Sequence, residues 1–499
     1  MLPVRVYGQC VCVEPLQVFE NLEGLWRKQH PAIQHCETNR SKRYNSYERR
    51  CLPLPSHPAS VPSLDAPAPT ADADDAAHDA AHAPVGAHVT SETAPLHRVL
   101  VHTPGAEMDL VSPENREALL FEDILFTGTA RREHELMCAL FRMVTGRDDV
   151  VMQLRTLLAE TFEQEAARAG FIEQLCRTES ERNLAAVEDD LHRLPPRDLL
   201  AFALTGHTEL PVEMPPLPNL FFTRDLAATV HDHLVLGRTA QAVRSREDVL
   251  LRTVLHHHPA FDRLGDDRLI ELPEGVTLEG GDVLVPHPNV VLIGHSQRTS
   301  FGGVMAAAHA LFAQTPVEHI LAVEIPQQRS CMHLDTVLTF ASPGECVVYP
   351  PLLERAGFGY LVHLTPTGTA GRFETDMRPN LRRVLQDVID HEIDFIPCGG
   401  AERLHQAREQ WTDGSNVFAI APGVVVGYER NRRTFAELQK RGYRIASVRS
   451  FLEYHEETGF APSSDEKIAL KLEGTELSRG RGGPRCMTLP LARRRTPDD

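Results

Sequence analysis

Apolar positions along this chain change rhythm twice, from short runs to helical spacing and back. Arg98-Val99-Leu100-Val101-His102 reads as a strand, and Thr103-Pro104-Gly105 ends it. From about Ala130 to Leu204 the period lengthens. Val151, Leu154, Leu158 and Phe162 stand three and four residues apart with Arg155 and Glu160 between them, which predicts one apolar helix face. Pro195-Pro196 interrupts the stretch before Arg197-Asp198-Leu199-Leu200, so several helices are expected rather than one. After Leu210 short strands return. Val283 to Val285 and Val290 to Ile293, joined through Pro286 to Asn289, read as a hairpin. Val417 to Ala421 and Val424 to Tyr428, joined by Pro422-Gly423, read as another. Helical stretches such as Phe301 to Phe312 and Asn380 to Ile389 lie between them. Strand pairs alternating with helices predict repeated mixed α/β units rather than one doubly wound sheet.

The N-terminal part breaks this pattern. Residues 52 to 93 are a tract of Pro, Ala, Asp and His, including Ala71-Asp72-Ala73-Asp74-Asp75-Ala76-Ala77-His78. Such a composition cannot bury enough apolar area to order itself. Residues 1–93 are therefore expected to form a low-complexity, disordered extension, and residues 94–499 the folded body. The full 499 residues suffice for a large core. A formal net charge of −18 argues against general nucleic-acid binding. No run of 18 apolar residues predicts a membrane span, and Met1 to Glu20 lacks the pattern of a secretory signal. Ten scattered cysteines are sparse for a disulfide framework and point to a reducing cytoplasm.

Candidate chemistry concentrates in five places. Gly480-Arg481-Gly482-Gly483-Pro484-Arg485-Cys486 sets a cysteine after a glycine-rich turn with two arginines, whose charge favours the nucleophilic thiolate. The others are Pro218 to Asp225, Leu278 to Val283, Ser296 to Ser300 and Met332 to Val337. Asp225, Glu279, Asp282 and Asp335 supply acceptors that suit a planar, donor-rich cation such as guanidinium. Cys486 could attack an unsaturated carbon, His333 could move protons, and Arg244, Arg298 and Arg481 could hold a carboxylate. Alone, each Asp could be a turn or cap residue, and for Asp225 by itself that is the favoured reading. Strand alternation in Met332-His333-Leu334-Asp335 would put His333 and Asp335 on one face. HExxH and paired CxxC motifs are absent, so a metal site ranks low. His256-His257-His258 reads as a solvated helix end. Cys10, Cys12, His35, Cys36 and Cys51 have no standard zinc spacing.

Taken together, these segments resemble the arginine deiminases of the guanidine-modifying, or pentein, superfamily. The likeness runs from about Leu96 to Pro490. It also takes in Leu119 to Ile124, Trp411 to Asn416 and Ala421 to Asn431. The resemblance implies an α/β propeller of five ββαβ modules with an inserted helical bundle at about 130–207. It implies hydrolysis of L-arginine to L-citrulline and ammonia through a covalent cysteine intermediate, with no metal and no organic cofactor. Cys486 would be the nucleophile and His333 the general acid and base, with Asp225 and Asp335 on the guanidinium and Glu279 beside His333. Arg244 and Arg298 would take the substrate carboxylate, Asn219 and Phe222 would line the pocket, and Arg481 would lie over it. Arg485 receives no role. The resemblance implies a small-molecule partner alone, without nucleic acid or membrane, and leaves homo-oligomerisation open. Competing readings are an arginine dihydrolase, an amidinotransferase, or a non-catalytic arginine-binding sensor.

Overall fold

A computed structural model describes residues 85–179, 182, 184–353, 361–461 and 466–495. Among them the strands fall into five small sheets. Leu96–Val101 pairs antiparallel with Leu489–Arg493 and parallel with Val151–Gln153. Ala227–Val230 pairs antiparallel with His233–Leu236, which runs parallel to Leu269–Ile270. Val283–His287 pairs antiparallel with Val290–His295, which runs parallel to His319–Glu324. Two further strands, Leu361–Pro366 and Phe373–Arg378, extend that sheet. Leu338–Ser342 pairs antiparallel with Glu345–Val348, which runs parallel to Asp394–Pro397. Phe418–Ala421 pairs antiparallel with Val424–Tyr428, which runs parallel to Ile468–Leu472, itself parallel to Arg444–Ser447. Each sheet thus has an antiparallel pair and a parallel third strand. A parallel step needs a crossover, and helices supply it: Thr127–Thr145, Ser245–His257, Phe301–Gln314, Leu381–Ile389 and Arg432–Lys440.

The turns that lead into these sheets matter most for the site. Short 3-10 turns at Thr223–Leu226, Gly280–Asp282 and Leu334–Thr336 run directly into the first strands of three sheets. Asn416 stands two residues before Phe418–Ala421, and Cys486 three residues before Leu489–Arg493. The last of these strands pairs with the first strand of the folded body, so the two ends of the fold close on one another.

Between Val151–Gln153 and the turn at Pro218–Phe221 the described residues form four α-helices: Leu154–Phe162, Glu165–Thr178, Glu188–Arg193 and Pro196–Thr205. Their apolar faces share one core with Val249, Leu250 and Val254 of the helix Ser245–His257. The preceding helix, Thr127–Thr145, buries Met137, Leu140 and Phe141 in a different core, with Phe418 and Val426. Val151 is not helical, contrary to the spacing argument. It pairs with Val99 in a three-residue parallel strand, which a β-branched side chain suits. His258 is also not solvated. It is buried, pairs with Glu160 at 2.7 Å and accepts the amide of Ala260.

The expected extension through residue 93 ends too late. Val85 donates its amide to Ala260 at 2.7 Å, Val89 and His231 exchange backbone bonds, and Glu92 donates to Val285 at 2.7 Å. Val85, Ala87, Val89 and Thr93 are buried. Residues 85–94 therefore form a strap on the folded body, since their alternating apolar side chains find a groove that composition alone does not reveal. The N-terminal cysteines and His35 lie outside the described residues.

Candidate active site

The nucleophile loop is shaped by close approach. Arg481 takes a left-handed conformation at φ 65°. A Cβ on Gly482 would sit 2.2 Å from the Phe222 ring, and one on Gly483 2.6 Å from Asn416 Oδ1, so glycine is required at both. Asn416 then fixes the loop. Its Oδ1 accepts the amides of Arg485 and Cys486 at 3.1 and 3.2 Å, while its Nδ2 donates to the Asp335 carbonyl at 3.1 Å. One side chain therefore ties the cysteine to the turn that carries Asp335. The Cys486 thiol is buried and lies 3.7 and 3.9 Å from the two Asp335 carboxylate oxygens. Burial first, then the charges of Asp335, Asp225 and Asp413, push this thiol well above its ordinary range.

His333 sits between two carboxylates. Its Nε2 is 2.8 Å from Glu279 Oε2 and its Nδ1 is 3.6 Å from Asp225 Oδ1. Burial works against the imidazolium, but the Asp225 charge and the Glu279 hydrogen bond outweigh it and raise His333. Glu279 is correspondingly held ionised: burial would raise it, while the bond to His333 and the charge of Arg298 pull it down. Asp282, fully buried, accepts from Ser296 Oγ at 2.6 Å and from the Leu334 amide at 2.8 Å, which pins the turn after His333. Asp225 accepts Arg244 Nη1 at 2.6 Å on Oδ2. Its buried Oδ1 has no hydrogen-bond partner. That unfilled acceptor faces the same space as His333.

The same pocket also holds cationic side chains. Asp225, His333 and Cys486 line it together with Arg298, Arg329 and Arg481. Arg298 keeps Nε and Nη1 without hydrogen-bond partners, and Arg481 does the same. Arg481 stacks its guanidinium 3.6 Å over the Trp411 ring, which orients it without consuming its donors. Arg329 is anchored by Glu122 Oε1 at 3.0 Å and by the Leu120 carbonyl. Asn219, bonded to the Leu119 carbonyl at 2.8 Å, and Phe222 complete the lining.

The expected site residues Cys486, His333, Asp225, Asn219, Phe222, Arg244, Arg298 and Arg481 all border this cavity, and Glu279 and Asp335 stand behind it. Two details differ from the sequence reading. His333 is extended but Leu334–Thr336 is a 3-10 turn, so strand alternation does not relate His333 to Asp335. Arg244, expected to hold a carboxylate, lines the pocket with its guanidinium paired to acids. Glu247 holds its Nε and Nη2 at 3.0 and 2.7 Å and Asp225 takes its Nη1, so its charge is spent on those acids. Sequence reasoning missed Arg329, whose only signal was a place three residues before Met332. It also missed the partners of Arg485. Asp225, Glu279 and His333 offer ligand atoms within 4.8 Å of one another, as a metal site would. Arg244 and Arg298 already reach these carboxylates at 2.6 and 3.6 Å, and their charge opposes a dication.

A buried thiol beside two carboxylates and a histidine, in one pocket with Arg298, Arg329 and Arg481, is the equipment of a cysteine enzyme for cationic substrates that also carry an anionic end. The comparisons specify which. The family described as arginine deiminase matches residues 177–493. The arginine deiminase of Listeria monocytogenes serovar 1/2a is 34% identical over 430 residues, covering 81% of this chain and 97% of that protein. The arginine deiminase of Latilactobacillus sakei is 33% identical over 432 residues, covering 82% and 99%. This chain belongs to the arginine deiminase family. Among solved structures, a dimethylarginine dimethylaminohydrolase from Pseudomonas aeruginosa aligns over 79% of this chain and 99% of its own, at 13% identity and a TM-score of 0.43.

Proposed function

We propose that this protein hydrolyses L-arginine to L-citrulline and ammonia through a covalent adduct on Cys486. The observation that carries the reading is the placement of the Cys486 thiol against Asp335 within one cavity that also holds the vacant Oδ1 of Asp225. Both acids fit the edges of a guanidinium and would hold its plane so that the central carbon faces sulfur. The cation also changes the thiol. Burial first, then the charges of Asp335, Asp225 and Asp413, hold the thiol high; a bound guanidinium offsets those charges, so the thiol gives its proton to solvent when substrate binds. The thiolate forms a bond to the guanidinium carbon. The carbon–nitrogen bond then breaks, and ammonia departs with a proton from His333. Neutral His333 next takes a proton from water, the oxygen adds to the same carbon, and the carbon–sulfur bond breaks to release citrulline.

In this reading Arg298, Arg329 and Arg481 take the substrate carboxylate, and Arg244 holds Asp225 instead. The five sheets are read as five ββαβ modules about a pseudo-fivefold axis, with the turns at their heads converging on the site. The catalytic body begins at about residue 85 and carries an insertion of four helices, 154–205. No described helix is long and apolar enough to cross a membrane. The described cysteines are free, in keeping with a cytoplasmic setting, and we infer no nucleic-acid partner from the charge of −18. The test is product analysis with L-arginine: citrulline and ammonia in equal amounts. Ornithine with two equivalents of ammonia would establish a dihydrolase, and no turnover would establish a binding protein.

A further inference from the structure

Arg485 precedes the nucleophile, is buried, and has an acceptor for each guanidinium nitrogen. Nη1 donates to Asp335 Oδ2 at 2.9 Å, Nη2 to Glu92 Oε1 at 2.9 Å and to the Val283 carbonyl at 2.8 Å, and Nε to Glu92 Oε2 at 3.0 Å. The Arg485–Glu92 pair is bidentate, the stronger form of such contacts. Glu92 belongs to the strap, 393 residues away in sequence. It also accepts the Val285 amide at 3.1 Å. We propose that Glu92 is a positioning residue of the active site: by sharing Arg485 with Asp335 it leaves that cluster with a net negative charge, so that Asp335 stays able to bind a cationic substrate. The proposal rests on the reading of Asp335 as a guanidinium acceptor.

The charge arithmetic carries the idea. Glu92, Arg485 and Asp335 sum to −1. Without the Glu92 charge, the Arg485 cation would be spent on Asp335 alone and the sum would be zero. The guanidinium of a substrate would then meet a neutralised partner, and Cys486 would feel less negative charge. The groups facing Glu92 are Arg485, Arg224 and Arg493, and they hold its carboxyl at about 2 although burial alone would raise it. Those acting on Cys486 are Asp335, Asp225 and Asp413. A role confined to packing would change neither charge balance nor thiol reactivity in a defined direction.

The experiment compares wild type, Glu92→Gln and Glu92→Asp as full chains without substrate. Iodoacetamide labelling of the Cys486 peptide is followed by mass spectrometry across pH 7 to 9. Glu92→Gln should label about tenfold faster at a given pH, since one unit of thiol pKa is a factor of ten in thiolate. Glu92→Asp, which keeps the charge, should label near the wild-type rate. With arginine, Glu92→Gln should raise KM at least about tenfold and lower kcat less, because the loss is in substrate binding. Identical labelling of Gln and wild type would overturn the proposal. So would equal acceleration in Gln and Asp variants, which would signal loosened packing instead. Labelling needs no turnover, so an enzyme that made no citrulline would refute the activity while leaving this test standing.

Discussion

At the scale of single residues, the site works by keeping charges unspent. Asp225 Oδ1, Arg298 Nη1 and Arg481 Nη1 are buried without a hydrogen-bond partner, a cost of about 1–3 kcal/mol for each group that a substrate can relieve. Replacing Cys486 by Ala should abolish turnover, and quenched wild type should carry a substrate-derived mass on the Cys486 peptide; turnover in the Ala variant would remove the covalent mechanism. Asp225→Asn and Asp335→Asn each exchange an acceptor for a donor pair, a loss of roughly 1.5–3 kcal/mol for a charged hydrogen bond, so kcat/KM should fall about ten- to a hundredfold or more. His333 gives a pH prediction. Its folded-state pKa is raised to about 9, against about 6.5 in an unfolded chain. A raised base stabilises the fold fully below the unfolded value and loses that contribution as pH rises through the folded one. The melting temperature of wild type relative to His333→Gln should therefore decline between about pH 6.5 and 9. A flat difference across that range would mean that His333 is neutral in the folded protein. These residue types were legible in the sequence because turn glycines and acids cluster beside them. The state of each charge was not, because Arg244 is spent on Glu247 and Asp225 only through the fold.

At the scale of elements, one regularity organises the site. Asp225, Glu279, Asp335, Asn416 and Cys486 each stand a few residues before a strand of a different sheet. A turn at the head of a strand exposes side chains while the buried strand fixes their direction. The hairpins at 283–295 and 418–428 were readable from apolar runs and turn residues, as was the helical character of 154–205. Val151–Gln153 was misread because a three-residue strand has no period to detect. The strap was misread for a related reason: its Ala and Val are few, and only their partners, Ala260, His231 and Val285, give them order. Truncation separates the two views. A chain starting at residue 84 should fold and turn over arginine like the full protein. One starting at Leu96 loses Glu92 and the backbone bonds of Val85, His88 and Val89, and should lose at least tenfold in kcat/KM. Full activity in the shorter chain would reduce the strap to an ornament.

At the scale of the whole molecule, the lining of the cavity comes from distant parts of the chain and carries both signs of charge. Asp225 lines the cavity with Glu279 and Asp335 just behind, and Arg298, Arg329 and Arg481 line it as well. A net charge of −18 attracts a cation over distance, but it cannot distinguish free arginine from any other guanidinium. Discrimination has to come from these three arginines, each of which has a distinct support: Glu279 for Arg298, Glu122 for Arg329 and the Trp411 ring for Arg481. Agmatine carries the same guanidinium without the carboxylate, so it should be a much poorer substrate. Truncating one partner of a desolvated ion pair costs about 2–5 kcal/mol. Arg298→Ala and Arg481→Ala should therefore raise KM for arginine at least about thirtyfold and leave the poor use of agmatine nearly unchanged. Arg244→Ala should behave differently: by freeing Asp225 and Glu247 it should damage both substrates alike. Competition between arginine and agmatine in wild type and the three variants reads the assignment directly. If wild type used the two substrates equally, or if Arg298→Ala and Arg244→Ala gave the same pattern, the division of the cavity into a guanidinium end and a carboxylate end would be wrong.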